Sequence, residues 1–384
     1  MSELAEIRSL QFTNLEQANA RLLAFFRAKL PFEVTAIQIR PLAVSLNSVN
    51  GFLDLGKQRL FFKAHIESQV AGREYYNTEV LADAGYPILK PVLKATESAA
   101  QHVMLYDIVE SPTMFDACRA VELGQATNAD HLIKAQQNSD RHLLSLYKNS
   151  LKWATAEEHA QSPIHQLFYH RLTGGRLADF YLGQSAYERL ARVHWTINGV
   201  EYPRTLEELI ARAIDQLNPA KPGPAVAGHG DAHNGNVFYL EAKQDLLYFD
   251  PAFAGYHSPL LDLVKPLYHN VHAQWMYFPE ETAAQLNLTM SIADGRALLE
   301  HNFPINPIRQ ATHDSKTNLV LGPLLKILEE KNWLVPDWKA YMQSALMCCP
   351  LLTMNLCDEN KFPLNVSLLG FAHAVVMGHS DPLS

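Results

Sequence analysis

The sequence has few cysteines, and their spacing excludes two classes of protein. Four cysteines among 384 residues are too few for a disulfide scaffold, and the adjacent Cys348 and Cys349 have poor geometry for an ordinary bridge. No pair has the Cys-x-x-Cys spacing of a zinc site. Such a protein suits a reducing compartment, so we expect a cytoplasmic location.

Basic charge and long apolar runs are also scarce. Lys and Arg number 32 against 40 Asp and Glu, a formal net charge of −8, so nothing favours binding to nucleic acid or to an anionic membrane. The apolar stretch at residues 368–378 has about half the length that a membrane span needs. The first residues lack the basic-then-apolar order of a signal peptide. We therefore expect no nucleic-acid partner and no membrane partner.

The sequence does contain enough apolar material for a large folded protein. Hydrophobic residues make up 48% of it and charged residues 19%, which is typical of a well-packed globule. A chain of 384 residues exceeds what a single hydrophobic core usually serves, and no internal repeat is visible. Two lobes or domains are therefore expected.

Helical and strand-like patterns are distributed unevenly along the chain. The amino-terminal part predicts helices at 14–30 and 72–84, and strands at 37–42, 52–55, 60–62, 92–95 and 102–108. The remainder predicts helices at 132–146, 206–217, 297–301, 321–331 and 338–347, with strands only at 237–240 and 246–249. The prediction is an α+β fold with a small β-rich lobe over 1–107, a hinge near 106–110, and a larger, mainly helical lobe over 108–384.

Short polar side chains are concentrated at residues 228–236, GHGDAHNGN, directly before a predicted strand. Asn236 precedes that strand and Asp250 ends its partner, so a tight hairpin would direct both side chains to the same point. One carboxylate and one amide oxygen suit Mg²⁺ when phosphate oxygens complete its shell. Asp231 could then accept the proton of an incoming hydroxyl and orient it. Each residue alone is typical of a turn, and only the combination indicates chemistry.

These residues resemble a known family. HGDAHNGN, followed by LLYFDPAFAG, is similar to the catalytic loop and metal turn of the aminoglycoside phosphotransferase and choline kinase superfamily, which has a two-lobed, protein-kinase-like fold. The resemblance covers roughly 36–267. It implies a catalytic loop at 228–236 with Asp231 as base and His229 as its support, and a metal-binding turn at 249–255. Asn236 and Asp250 are then the Mg²⁺ ligands, and the unusual FDPAFAG turn keeps its Asp.

The small lobe is expected to hold ATP. Lys63, on the third predicted strand, matches the lysine that holds the α- and β-phosphates in kinase-like folds. Its helical partner is either Glu74 or Glu79, and Glu74 is better placed relative to Leu81 and the GYPILKP turn.

The resemblance also implies contacts to the rest of the nucleotide. The loop at 45–52 is expected to turn over the phosphates through Asn47, Ser48, Asn50 and Gly51. Backbone groups of the hinge, at Tyr106, Asp107 and Ile108, are expected to read the adenine, with Met104 or Leu105 behind it. Asp262 matches the family's aspartate that braces the catalytic loop.

Three alternative functions also remain open from the sequence. The His-rich loop could belong to a metallophosphoesterase, although the chain's other histidines are scattered. A kinase fold that binds nucleotide without catalysis is a second reading, since the phosphate loop is poor in glycine. A protein kinase is a third, and the absence of HRD, DFG and APE sequences favours a small acceptor instead.

The sequence thus predicts a phosphotransferase that uses ATP and Mg²⁺ on the hydroxyl of a small molecule. The resemblance allows a sugar, an amino sugar, an aminoglycoside, an amino alcohol or a homoserine-like amino acid as acceptor. Few acidic residues occur in 302–384, which weakens the case for a cationic aminoglycoside.

Overall fold

The computed structural model describes residues 3–41, 48–65, 77–92 and 103–383. Contacts between Cα atoms divide the chain into two compact units. The smaller consists of Met1–Ser111 with Leu247–Ala252, and the larger of Pro112–Leu246 with Phe253–Ser384. No helix in the described part is both long enough and apolar enough to cross a membrane.

The smaller unit is an antiparallel sheet with helices. Strands β1–β4 follow one another in the sheet in chain order. Its elements are α1 (Glu3–Leu10), α2 (Leu15–Lys29), β1 (Ala36–Ile39), β2 (Ser48–Leu55), β3 (Gln58–His65), α3 (residues 77–83) and β4 (Val103–Tyr106).

Helix α2 confirms the helix predicted at 14–30. The Asn14 side chain accepts a hydrogen bond from the Gln17 backbone N–H, which satisfies one of the free donors at the helix start. Ala18, Leu22 and Phe26 recur every four residues and are fully buried. Phe26 meets Phe62 of β3 edge-to-face, with ring centroids 5.0 Å apart, so helix and sheet share one core.

The sequence predicts a turn over 45–52, but residues 48–52 lie in strand β2. β2 begins at Ser48, so Ser48, Asn50 and Gly51 lie in the strand, where Asn50 pairs with Lys63 of β3. A Cβ at Gly51 would lie 2.1 Å from the carbonyl oxygen of Gln38, so glycine here serves close strand pairing and not a turn. Asn47 lies outside the described residues.

The strands predicted at 92–95 and 102–108 are also corrected. Val92 is not in a strand, although its N–H bonds to the Leu105 carbonyl, and 93–95 lie outside the described residues. The second strand is shorter, Val103–Tyr106, and Asp107 and Ile108 beyond it are exposed.

The segment Leu247–Ala252 belongs to the smaller unit through backbone hydrogen bonds. The Tyr248 N–H donates to the Pro87 carbonyl, and the Leu89 N–H donates to the Tyr248 carbonyl, both at 2.8 Å. The Asn77 side chain donates to the Pro251 carbonyl at 3.0 Å. These bonds fix Asp250 between two anchored positions.

The larger unit is mainly helical. Its helices are α4 (Met114–Glu122), α5 (Ala129–Ser150), α6 (Ala156–Ala160), α7 (Tyr169–Thr173), α8 (Arg176–Tyr181), α9 (Ser185–Ala191), α10 (Leu206–Gln216), α11 (Pro259–His269), α12 (Gln274–Tyr277), α13 (Pro279–Gln285), α14 (Pro307–Lys316), α15 (Gly322–Glu330), α16 (Trp338–Thr353) and α17 (Leu364–Met377). A π-helical turn, Thr317–Leu321, joins α14 to α15.

Short strands supplement these helices. They are β5 (Lys152–Ala154), β6 (His194–Ile197), β7 (Val200–Tyr202), β8 (Gly223–Gly228), β9 (Val237–Leu240), β10 (Asp245–Tyr248), β11 (Gly255–His257), β12 (Leu288–Ala293) and β13 (Arg296–His301). They form sheets in the orders β11-β8-β5, β10-β9 and β12-β13-β6-β7. The strand predicted at 237–240 is confirmed, and the one predicted at 246–249 is observed one residue earlier.

The prediction of only two strands in this region is wrong, and so is the helix predicted at 297–301. That segment is β13, in which Ala297 and Leu299 are buried while Leu298 between them is exposed. Asp294 and Gly295 have φ of 50° and 73°, as in the tight turns that favour hairpins. The α+β class predicted from the sequence is nonetheless confirmed.

Candidate active site

Strand β8 delivers the loop 228–236 from a rigid support. Every residue of β8 is buried, and the strand pairs with β5 on one side and β11 on the other. His229 follows directly and is fully buried, with its Nδ1 accepting the Asp231 N–H at 3.4 Å. His229 therefore lies inside the frame and holds the backbone of the residue that follows Gly230.

Asp262 anchors the start of this loop. Its buried carboxylate accepts hydrogen bonds from the Gly230 N–H, from the Tyr147 hydroxyl and from His257 Nε2. Burial alone would raise the pKa of Asp262, but the bonds from His257, Tyr147 and Gly230 outweigh burial and lower the pKa to about 2. The Asp262 carboxylate is therefore ionised and holds the start of the loop in place.

Any other residue in place of Gly230 would displace the backbone of the catalytic loop. Its φ is +80°, and a Cβ there would lie 2.4 Å from the Phe253 carbonyl oxygen. Both the left-handed backbone and the close approach require glycine. The loop is thus held tightly directly before Asp231.

A second anchor lies at the end of the loop. The Asn234 N–H donates to the Asn270 side chain at 2.6 Å, and Arg309 donates to the Asn270 carbonyl at 3.1 Å. Arg309 in turn pairs with Glu122, and both side chains are only 2% exposed. A buried ion pair with all its hydrogen bonds made fixes the position of its neighbours.

Asp231 is therefore held through its backbone while its carboxylate is left available. Its carbonyl accepts bonds from the His233 N–H and from the Asn236 side chain, both at 2.9 Å. Its Oδ1 is buried and has no hydrogen-bond partner among the described residues, although the side chain as a whole is 19% exposed. A buried carboxylate oxygen without a donor is expected to meet one in the working protein.

The electrostatic surroundings keep Asp231 ionised. Burial acts to raise its pKa, but Lys265, His233, His229 and Arg171 act in the opposite direction and hold the pKa below its usual value. Nε2 of His233 lies 3.9 Å from Oδ1 of Asp231. The low pKa keeps Asp231 ionised near neutral pH, so its carboxylate is a weak base that is available to accept a hydrogen bond.

Asn236 is oriented by the same loop. Its amide nitrogen donates to the Asp231 carbonyl at 2.9 Å, while its Oδ1 makes no hydrogen bond to any described residue. An amide oxygen in this situation is a suitable ligand for a hard divalent cation. No group of three or more His, Cys, Asp or Glu that could hold a metal occurs among the described residues.

In the smaller unit, Lys63 contacts Asp250 directly. Nζ of Lys63 donates to Oδ1 of Asp250 at 2.6 Å, with the two side chains 15% and 38% exposed. Asp250 has φ of +57°, a conformation that is uncommon outside glycine and is frequent at functional sites. The turn thus presents Asp250 to Lys63 at some cost in backbone strain.

Some of the other residues that were predicted to bind the nucleotide lie in the described part of the chain. Met104 lies opposite Lys63 in the β3–β4 ladder, and Tyr106 is the last residue of β4. Glu79 lies on α3, but Glu74 is outside the described residues. Ser48 and Asn50 are buried, with Ser48 Oγ donating to Asn50 Oδ1 at 3.3 Å. Their contacts to a nucleotide stay predictions.

The sequence reasoning missed several groups around Asp231. Lys265 donates to His269 Nε2 at 3.2 Å, and His269 Nδ1 lies 2.8 Å from the Tyr277 hydroxyl. The rings of His269 and His233 are 5.4 Å apart. Burial, with Lys265 next, holds the pKa of His269 well below its usual value, so this ring accepts from Lys265 as a neutral group. A lysine within an apolar helix was the available signal.

A comparison with protein families gives a direct assignment. A model of the phosphotransferase enzyme family (APH) matches residues 71–300, which is more than half of the chain. The chain belongs to this phosphotransferase family. A comparison with curated proteins gives no match.

Solved structures of three kinds of phosphotransferase are similar at low identity. A spectinomycin phosphotransferase in complex with ADP and spectinomycin is 14% identical, with 93% of this chain and 98% of that chain covered and a TM-score of 0.40. A macrolide 2′-phosphotransferase from Brachybacterium faecium is 13% identical, with 93% and 98% covered and a TM-score of 0.39. An ethanolamine kinase from Plasmodium vivax is 9% identical, with 97% and 94% covered and a TM-score of 0.47. The family assignment depends on the family model alone.

Proposed function

We propose that this protein is an ATP-dependent phosphotransferase that places the γ-phosphoryl group of ATP on a hydroxyl of a small molecule. The observation that carries the proposal is Asp231. In a member of a phosphotransferase family, its backbone is fixed by the loop while its buried Oδ1 has no donor among the described residues. An acceptor hydroxyl supplies the missing donor.

The proposed transfer step exchanges one bond to phosphorus for another. The acceptor oxygen bonds to the γ-phosphorus as the bond from that phosphorus to the β–γ bridging oxygen breaks, and ADP leaves with the electron pair. The hydroxyl proton passes to Asp231. Because the pKa of Asp231 lies below its usual value, its main contribution is to orient the hydroxyl, and proton transfer comes late.

Asn236 and Asp250 are proposed as the oxygen ligands of Mg²⁺. Their donor set fits this cation, since one is a carboxylate and the other an amide oxygen that makes no other hydrogen bond among the described residues. When bound, Mg²⁺ neutralises charge on the phosphates. Lys63 is proposed to hold the α- and β-phosphates, and its contact with Asp250 at 2.6 Å supports a shared role at the nucleotide.

The backbone of Tyr106, Asp107 and Ile108 is proposed to bind the adenine. Asp107 and Ile108 are exposed directly after β4, which favours access to their backbone groups. Ser48 and Asn50 on β2, and Asn47 and Glu74 outside the described residues, complete the proposed nucleotide contacts.

The test is the substitution Asp231→Asn, which keeps shape but removes the charge. Loss of the group that orients the hydroxyl and takes its proton should lower kcat by roughly 10²- to 10⁴-fold, while binding of Mg-ATP should change little because Asp231 is proposed to contact the acceptor. Asp215→Asn, at an exposed position of α10, is the matched control and should keep the wild-type rate. Full activity in Asp231→Asn, with nucleotide binding intact, would refute the proposal.

A further inference from the structure

Two arginines meet at the carboxyl end of α16. Arg176, at the start of α8, donates through Nη1 to the carbonyls of Leu352 and Thr353 at 3.0 and 2.8 Å. Arg171, on α7, makes a longer contact of 3.5 Å to the Leu352 carbonyl. Both side chains are partly buried, so two guanidinium groups converge on one helix end.

Neither arginine has a carboxylate partner among the described residues. Arg176 lies 5.9 Å from the Phe180 ring, and no ion pair of either arginine occurs within 4.0 Å in that part of the chain. Partly buried guanidinium groups normally pair with an acid. The carboxyl end of a helix offers only about half a negative charge, which leaves most of the charge on two arginines uncompensated.

Arg171 acts electrostatically on the catalytic loop through Asp231. Asp231 is the one carboxylate among the main electrostatic influences on Arg171 and on Lys265 in the described part of the chain. The neighbouring thiols add no negative charge, because burial raises the pKa of Cys349 to about 11 and that of Cys348 further. Arg171 and Lys265 thus both act on the Asp231 carboxylate, and Arg176 shares the Leu352 carbonyl with Arg171. This side of Asp231 is electropositive.

We propose that the acceptor carries an anionic group, a carboxylate or a phosphate ester, and that Arg171 and Arg176 bind it beside Asp231. The inference rests on the proposed function and narrows its acceptor. Planar guanidinium groups suit both anions, because two parallel N–H groups match two oxygens. Lys265 offsets the repulsion between Asp231 and such an acceptor, and a cationic aminoglycoside or amino alcohol would be repelled.

The first experiment measures anion binding without any phosphoryl transfer. Inorganic phosphate and malonate are titrated calorimetrically into protein saturated with Mg-ADP, so that the nucleotide site is filled. Wild-type protein should bind at least one of them, and Arg171→Gln should weaken that binding at least about 10-fold, as expected for a lost charge-assisted hydrogen bond. Arg171→Lys should recover part of the affinity. Absence of binding to the wild-type protein would overturn the inference.

A matched control is available in Arg212. This arginine is also partly buried and donates to the Gly378 carbonyl at the end of α17, but it is not among the main electrostatic influences on Asp231. Arg212→Gln should leave anion binding unchanged. Equal losses in the Arg212 and Arg171 variants would mean that helix-end contacts matter only for folding, and the anion site would be rejected.

The second experiment compares acceptors that differ only in charge. ADP release is measured with glucose, glucosamine, glucuronate and glucose 6-phosphate, and then with neutral, cationic and anionic alcohols of other scaffolds. Turnover should be confined to anionic members, and the panel separates carboxylates from phosphate esters. With the active acceptor, Arg171→Gln should raise KM about 10- to 100-fold and change kcat little.

The outcomes separate the two proposals. Faster turnover of neutral or cationic acceptors than of anionic ones would overturn the proposal of an anionic acceptor. So would an Arg171→Gln variant in which KM rises for ATP and not for the acceptor. Anion binding that depends on Arg171, combined with no transfer to any alcohol, would leave the anion site standing and refute the phosphotransferase function.

Discussion

Replacement of Asp262 by Asn should expose how much the loop depends on one buried charge. The carboxylate accepts bonds from Gly230, Tyr147 and His257, and these lower its pKa to about 2 from an ordinary value of 3.8. A difference of this size corresponds to about 2 kcal/mol of folding free energy near neutral pH. Asp262→Asn should lower the free energy of unfolding by about that amount.

The loss should depend on pH with a definite sign. Because the folded-state pKa lies below the unfolded one, the stabilisation is complete above the unfolded value of 3.8 and is lost as the pH falls towards 2. Between pH 6 and pH 3 the contribution of the charge falls from about 2 to about 1 kcal/mol. The gap between wild type and variant should therefore narrow by about 1 kcal/mol.

Urea unfolding at several pH values from 6 to 3 measures this gap, with tryptophan fluorescence and circular dichroism as independent signals. Asp215→Asn, at an exposed position, should stay within about 0.5 kcal/mol of wild type throughout. A gap for Asp262→Asn that stayed constant from pH 6 to pH 3 would show that the carboxylate is not ionised with a low pKa, and the brace would need another explanation.

Three further substitutions test other contacts. Lys63→Ala should weaken Mg-ATP binding without unfolding the protein, and wild-type turnover in this variant would reject the proposed phosphate contact. Asp250→Ala should abolish Mg²⁺-dependent turnover, since Asn236 alone is a weak neutral ligand; activity that persists in excess chelator contradicts this. Gly230→Ala should destabilise by about 2 kcal/mol more than Gly183→Ala, because both have positive φ but only Gly230 meets a backbone atom. Equal melting temperatures would refute the close approach.

Features that depend on neighbouring residues in the sequence, such as helix α2 and the catalytic loop, could be predicted. Helix α2 follows from apolar residues spaced every four positions and from the Asn14 cap, both legible in the sequence. The order of residues in 228–236 also sufficed to single out Asp231. The backbone bonds that hold it, to Asn236 and His233, come from within the same loop.

Two hairpins were missed although their signals were present. Asn198-Gly199 and Asp294-Gly295 both have the paired positive φ values of a tight hairpin turn, and such dipeptides are strong hairpin signals. The pairing of β13 with β6, which is parallel and joins residues about 100 positions apart, has no local signal. Sheets assembled over such separations depend on packing that a single sequence does not display.

The electropositive side of Asp231 was invisible for the same reason. Arg171 and Lys265 act on Asp231 from positions distant in the sequence, and only the tertiary fold brings them close. Lys265 could have been noticed as a charge in the apolar stretch LLDLVKPLYH, since lysine is rarely buried without a role. Nothing in the sequence around Arg171 distinguishes it from a surface arginine.

Helix α11 determines both where the catalytic loop lies and how strongly Asp231 is held in its ionised form. Asp262, Lys265 and His269 are spaced by three and four residues and so lie along one stripe of the helix. The first holds the Gly230 N–H, the second acts on the Asp231 carboxylate, and the third bonds to the second. The next residue, Asn270, binds the end of the loop. A displacement of α11 would therefore change the placement of Asp231 and its ionisation together.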